Sequence, residues 1–538
     1  MKISARYIAA AVLTLCSLSE GRGQNPVASK NSTDFRTVEA HQAWLTSRNA
    51  AGLRFFDMEN FSQAEAYFQK DNGGFRNYFQ SDDSYSFGVA TESYFTLGRA
   101  TLYGHISYNN TMGRNMTGSM WIDPYDAPFN IVEFYDSDAG NKNREDYRIA
   151  AGAGFDLTKR LRIGARFNYT ATNYTKRKDL RHATKQLDME VMPGLSYTFG
   201  QHFTVGANYI YARKIEEVLF KAYGTKDKQY YVLITPGAFY GSWELHGNSG
   251  GYTDESNTQP LFSTYQGAAL QLAWNSQRAD IHLESAWKSR KGYYGQKHSS
   301  YSPYYTEHEA SILENRLCAA YKADNARFSL TVEADYESLD NYEMVYQRDR
   351  DEAGVYHVNY LGRNLSTERE NLDVSASLRS EWSFNGSLPR WSAGIDAQMT
   401  QHNLTASVYP FYRKQNISTV SVGASLQRNF FTGRNIIGAE LNAGFGSGSG
   451  FAAKDGLYTT PSASTAEPRE TSWYLDREFE YLTTPRIAAA IGAGYTRQLK
   501  KGINICIKAR YDLTYALQTT VLDNNRFGVL RITAGCTF

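Results

Sequence analysis

The chain has ten histidines, and one of them stands between two acids at alternate positions: Asp280, His282 and Glu284. On a strand, all three would project from one face in steps of roughly 7 Å. Carboxylates flanking an imidazole are a metal-ligand or acid–base set, but a metal needs donors that converge from several strands. The plainer reading is a satisfied histidine on a polar face. No serine sits in a nucleophile-elbow pattern. Glycines at 444, 446, 448 and 450 match a phosphate loop only in number. No lysine follows in register and no helix is foreseen, so that stretch reads as a strand end running into a flexible loop. Cys16 falls in the leader described below, and Cys318, Cys506 and Cys536 are an odd, widely spaced set. They fit neither a disulfide framework nor a zinc site and are expected to be free thiols. The expectation is a protein without metal, cofactor or catalysis.

What positions these residues follows from composition and patterning. The 538 residues include 40 Tyr, 28 Phe and 43 Gly, with 42% hydrophobic and 21% charged side chains, which excludes disorder. The 57 basic and 55 acidic residues leave +2, which gives no electrostatic case for a nucleic-acid partner. Residues 1–23 have the parts of a secretory signal peptide: Lys2 and Arg6, an apolar run over 7–15, and Gly21-Arg22-Gly23. Leu15 is too large to complete a lipoprotein box before Cys16. Beyond residue 23 no run approaches the ~18 apolar residues of a spanning helix. A mean hydropathy of −0.52 then suits either an exported soluble protein or one held in a membrane by strands.

From about residue 61 the chain alternates with period two in segments of ten to fifteen residues. Over 161–171, Leu161, Ile163, Ala165, Phe167 and Tyr169 share one face, with Arg162, Arg166, Asn168 and Thr170 on the other. The stretches 328–336 and 372–382 repeat the pattern. Tight turns are expected at 98–99, 158–160, 200–202, 275–278, 324–325, 385–389, 429–433 and 500–502, with long polar loops such as 110–145, 341–366 and 447–477 between them. Short turns at one end and long loops at the other mark an outer-membrane barrel. Eight hairpins, an opening strand near 62–69 and a closing one at 527–538 predict about 18 strands in one all-β, antiparallel transmembrane β-barrel over 61–538. The range is 16–20, because 230–234 and 238–243 could form one more hairpin about Thr235-Pro236-Gly237. Its arms are shorter than the ~9–11 residues needed to span, which leaves it above the membrane. Phe155, Tyr197, Phe199, Phe203, Trp274, Trp382, Trp391 and Phe431 lie near the short turns, where a periplasmic aromatic girdle belongs. A soluble sandwich would have strands about half as long.

The polar faces then define a lumen. They bring Arg162 and Arg166, the trio Asp280, His282 and Glu284, then Glu333, Asp335 and Glu337, Arg379 and Glu381, and finally Lys508, Arg510 and Asp512. Such charges either select and pass a solute or simply cross-pair between strands, and their mixed signs argue against strong ion selectivity. The last strand alternates Leu530, Ile532, Ala534 and Cys536 up to the terminal Phe538. That pattern resembles the signal read by the bacterial outer-membrane assembly machinery. Residues 24–60 are expected to form a periplasmic or lumenal segment, too short for a plug domain. Its short helix is capped by Ser32-Thr33-Asp34 and presents Phe35, Val38 and Leu45 on one face, interrupted by Gln42.

The run from Trp44 to Leu53 (Trp-Leu-Thr-Ser-Arg-Asn-Ala-Ala-Gly-Leu), with Thr91-Glu92-Ser93-Tyr94, resembles an uncharacterised outer-membrane β-barrel family of Bacteroidota. Members are often encoded near TonB-dependent transport systems, which implies a role in nutrient or metal uptake and a TonB-dependent transporter or surface protein as partner. The family has no established catalytic or binding residues to carry over. The reading is a barrel in outer-membrane lipid for solute passage or capture, as a porin-like channel or an accessory of uptake. The alternative is a barrel-anchored interaction protein that binds a partner or glycan through long extracellular loops. Deleting loops separates them, since a channel keeps conducting and a binder loses its partner.

Overall fold

The computed structural model describes residues 35–538, apart from 59, 134–138, 222–228, 500 and 501. The leader at 1–23, the Ser32-Thr33-Asp34 cap and the two lysines of the 500–502 turn lie outside the described residues.

Eighteen strands form one sheet in which each pairs antiparallel with its neighbours. The first, Asn60–Gly73, pairs with the second, Asp83–Leu97, and with the last, Arg526–Thr537, which closes the sheet into a barrel. Beyond that ladder the Phe538 backbone exchanges two hydrogen bonds with Ser62. Closure of this kind leaves no exposed sheet edge in lipid. The alternation explains the sidedness. Leu330, Leu378, Ile395, Val422, Leu441, Ile491, Ile507, Leu530 and Ile532 all face outward and are exposed. Phe155, Phe199, Phe203 and Trp274 stand exposed near the short-turn end, and Trp382 and Trp391 stack there at 6.5 Å. An apolar band with an aromatic rim is a lipid-facing surface, so the protein resides in the outer membrane, with its short turns on the periplasmic side.

The turn expected at 385–389 lies within that range, and the one expected at 429–433 sits slightly later. Asn385 pairs with Leu388 around Gly386-Ser387, and Thr432 pairs with Asn435 around Gly433-Arg434. In both, the glycine takes the left-handed conformation a tight turn needs (φ +67° and +60°). The expected loop 341–366 is mostly strand: Ala326–Arg350 and Tyr356–Asn385 run far above the membrane as one long hairpin. Likewise 444–450 is not a strand end entering a loop but the interior of Asn435–Leu457.

Other loops turn inward. Asn130–Glu133, Tyr231–Gly237, Tyr240–Leu245 and Arg469–Glu470 form a separate four-stranded sheet. The hairpin expected above the membrane is thus part of a folded unit in the barrel mouth. Val232, Leu233, Ile131 and Trp121 are buried there against Val218, Phe220, Leu261 and Tyr294 of the barrel or against Leu404 and the helix Ser472–Thr483. The inner faces of several strands therefore change from polar to apolar toward the extracellular end. At the other end the N-terminal helix Phe35–His41 stops at Gln42, whose backbone is non-helical (φ −134°, ψ 86°), and two short 3-10 turns follow, Ala43–Leu45 and Ala50–Phe55. Leu45 is thus not on the same helix as Phe35, yet both are buried in one cluster with Leu53, Phe56, Phe61 and Tyr94.

Ile395 is lipid-facing and lies a few residues above the girdle tryptophan Trp391. Ile395→Arg is expected to destabilise the barrel by about 2–4 kcal/mol, the cost of a charge near the bilayer midplane. Urea unfolding in lipid vesicles measures it, and a neutral result would mean that this face does not meet lipid.

Candidate functional site

The polar faces converge on a lumen that the chain itself occupies from both ends. At the periplasmic end, residues 46–54 lie across the inner wall. Asn49 anchors them: its amide donates to the Leu195 and Ala207 carbonyls (2.8 and 3.2 Å) and to Gln271 (2.9 Å), while its own oxygen accepts from the Ala51 N–H. The Ser47 hydroxyl donates to Glu284 at 2.5 Å, and Arg48 pairs with Glu284 and Glu314. Arg54 pairs with Asp156 at 2.6 Å and donates to Thr101. Backbone can come this close only where the wall lacks side chains. A Cβ on Gly164 would lie 2.4 Å from the Ala51 nitrogen, and one on Gly194 2.5 Å from the Asn49 oxygen.

This arrangement disposes of the acid–histidine trio. His282 is buried edge-on against the Trp44 ring, with centroids 4.8 Å apart. Glu284 is taken by Ser47 and Arg48, and Asp280 by Lys322. The three do not converge on a common point. Of the other inward charges, Arg166 donates to the Ser47 carbonyl, Arg162 lies over the Phe55 ring, and Glu381 meets His41. Glu333 pairs with Arg316, and Asp335 sits in register with Glu314 and Asp373. Arg510 pairs with Asp512 and Glu440, Lys508 shares their strand face, and Arg379 borders a cavity described below.

The extracellular end is held by residues that sequence reasoning missed. Glu133 is fully buried with Lys142 (2.5 Å), Lys176 and His182. Burial opposes its charge, but the lysines beside it hold the carboxyl far below the usual range. Asp126 behaves the same way: burial opposes ionisation, and Arg290 and Lys214 overcome it, at 3.1 and 2.5 Å. Arg369 donates to the Ala127 carbonyl and pairs with Glu337, which also faces Arg290. Thr367 donates to the Pro236 carbonyl. The helix Ser472–Thr483 is tied by Arg477 to Asp523 at 2.6 Å, and Glu480 accepts from the N–H groups of Val521 and Leu522. Tyr474 donates to the Glu133 carbonyl, so the helix and the inner sheet are one unit. The inward glycines and the apolar residues Trp121, Val232 and Ile234 carried a signal for this; loop acids such as Asp126 look like solvated charges until their partners are known.

Beneath this closure lies a cavity of about 370 Å³ bordered by Arg369, His402, Gln415, Glu478 and Phe239. Burial pushes the Glu478 carboxyl up to about 7, against the lowering effect of Tyr125 and Gln415.

Residues 50–538 match DUF6850, described as a family of unknown function. The chain belongs to that family. No curated protein matches it. Among solved structures, this DUF6850 barrel is similar to BauA, the ferric preacinetobactin receptor from Acinetobacter baumannii (TM-score 0.40, 11% identity, 89% of this chain and 80% of that one). It is also similar to the outer membrane transporter YddB from Escherichia coli (0.39, 6%, 88% and 81%) and to the ferric-catecholate import receptor Fiu from E. coli K12 (0.37, 6%, 90% and 82%). The DUF6850 match begins inside the lumenal turn, at the residue after Asn49.

Two outcomes follow. Gly164→Val is expected to dislodge the segment 35–58 and expose it to limited proteolysis while the barrel keeps its heat-modifiable migration; continued protection would contradict the seat. Between the ordinary value of 4.5 and about 7, an exposed Glu478 is ionised while the buried one keeps its proton, so the closed state loses stability as pH rises through that window. Glu478→Gln is expected to flatten this dependence, read as the calorimetric midpoint at several pH values across it.

Proposed function

We propose that this barrel captures and admits a small solute at the outer membrane as a gated device, an accessory to an energised uptake system rather than an open porin. The observation that carries the reading is the occupied lumen. A barrel of 16–18 strands is wide enough to leave an aqueous channel, and here that space holds folded segments tied by ion pairs at one end, that of Glu133 fully buried, and by Asn49 at the other. Segments held in this way open only when something supplies the free energy, such as a ligand or a partner. The resemblance to a family encoded near TonB-dependent systems points to a partner of that kind. The reading gives the chain no catalytic role.

A second reading, a barrel that docks a surface protein, draws on one feature. The long hairpin 326–385 exposes Leu361, Tyr356 and Val355 well beyond the lipid band.

A locked variant tests the gated reading. Arg477 on the helix and Asp523 on the neighbouring loop meet through their side chains at 2.6 Å, so Arg477→Cys with Asp523→Cys, bridged by a bifunctional thiol reagent that carries a reducible disulfide, is placed to staple the helix shut. A strain lacking the protein is expected to grow poorly on particular single-nutrient media. The native chain should restore growth, and the locked variant should do so only under reducing conditions. Equal rescue by the bridged variant would contradict gating.

A further inference from the structure

The inward-facing residues of six neighbouring strands, from Tyr356–Asn385 round to Asn504–Ala516, line up in rows across the sheet. Asp373, Thr400, Thr419 and Gly448 form one row. Below it come Ser375, Gln398, Ser421, Gly446 and Arg486, and then Ser377, Asp396, Gly423, Gly444, Ala488 and Thr514. The next row is Arg379, Gly394, Ser425, Asn442, Ala490 and Asp512, followed by Ser392, Gln427, Glu440, Gly492 and Arg510. Three cavities descend these rows in order. The one beneath the closure, about 370 Å³, reaches the first row. A second, about 400 Å³, occupies the next two rows, and a third, about 240 Å³, lies against the last two and is bordered by Arg379. A fourth cavity, beside the N-terminal segment at the periplasmic end, also touches Arg379.

From this we infer a lane for a small polar solute without net charge, running down this wall from the closure to the periplasmic end. The inference rests on the uptake reading above and assigns its route. Three features support it. First, the wall is built largely of glycine, alanine, serine and threonine, side chains too short to fill the space before them. Second, the hydrogen bonds and ion pairs of residues 46–54 described above fall on the opposite wall, on strands from Ala100–Met116 round to Tyr304–Ala323 and the adjoining turn. The lane therefore passes beside residues 46–54 and meets the N-terminal helix at its foot, where His41 pairs with Glu381. Third, its chemistry is hydrogen-bonding and nearly balanced: hydroxyls and amides, with Asp373, Asp396, Glu440 and Asp512 set against Arg379, Arg486 and Arg510. That lining offers a neutral polar solute partners at every step without binding an ion tightly.

The head of the lane is a built pocket of a size usual for small ligands. Gln415 is buried there next to Glu478, and His402 is held to Asn371 at 2.6 Å. Its roof is the helix Ser472–Thr483 with the hairpin tip 236–239. Gly448 lets that helix rest on the wall, and Arg477 and Glu480 hold it from outside the lane.

Single-channel recording tests the route. The variant R477A/E480A, freed of both ties, is expected to show conductance steps in a planar bilayer that the native chain lacks. Adding Ser421→Trp should abolish them, because the indole fills the second cavity beside Gln398 and Gly446. Val420→Trp, its lipid-facing neighbour, should leave them intact; Ser425→Trp repeats the test lower in the lane if Ser421→Trp folds poorly. The reversal potential in a salt gradient should lie near zero. Steps that survive both lane tryptophans would overturn the lane while leaving gated uptake standing, and strong ion selectivity would overturn the assignment of an uncharged solute. Silence of the loosened variant would overturn the roof and the route beneath it. Large stable steps from the native chain would instead overturn gating itself.

Discussion

A closed sheet in lipid divides every strand into two faces, and most of this structure follows from how the inner face is satisfied. The outer face needs only apolar side chains. The inner face carries carboxylates, guanidinium groups and amides, which need water or partners. In a barrel this wide, side chains from opposite walls cannot reach one another. The chain supplies the partners itself, with a short N-terminal segment below and folded loops above. Asn49, Asp126 and Glu133 mark the points where segment and wall are joined.

The two closures differ in kind. The lower one is backbone laid over glycines and fixed by Asn49, with Arg48 and Arg54 paired to acids of the wall. The upper one has an apolar core of its own and buried ion pairs. Buried pairs of this sort add little net stability, because each ion gives up its hydration. Breaking one leaves a bare charge, however, so they define a closed arrangement sharply. An interior built this way is suited to two discrete states rather than a graded opening.

Much of the barrel was legible because lipid imposes period-two alternation on every strand, and Leu330, Ile395 and Leu441 obey it. The strand count followed from turns marked by glycine, asparagine and aspartate. The inner face obeys no such rule. Whether Arg166 meets water, another strand or the Ser47 carbonyl depends on a segment more than a hundred residues away. The stretch 110–145 and the hairpin 230–243 looked like surface structure because their tyrosines and acids suit solvent equally well. Trp121, Val232 and Ile234 were the sign that part of them is core. The glycines at 444–450 were ambiguous for a related reason: glycine marks both a loop and a wall that something must approach closely.

Hydrogen exchange of the folded protein in lipid nanodiscs tests the occupied lumen most directly. The amides of Ala51 and Gly52, and those of Val232 to Ile234, should exchange nearly as slowly as those of the barrel strands around them. Exchange of both stretches at the rate of free loops would show an empty lumen and would contradict the account.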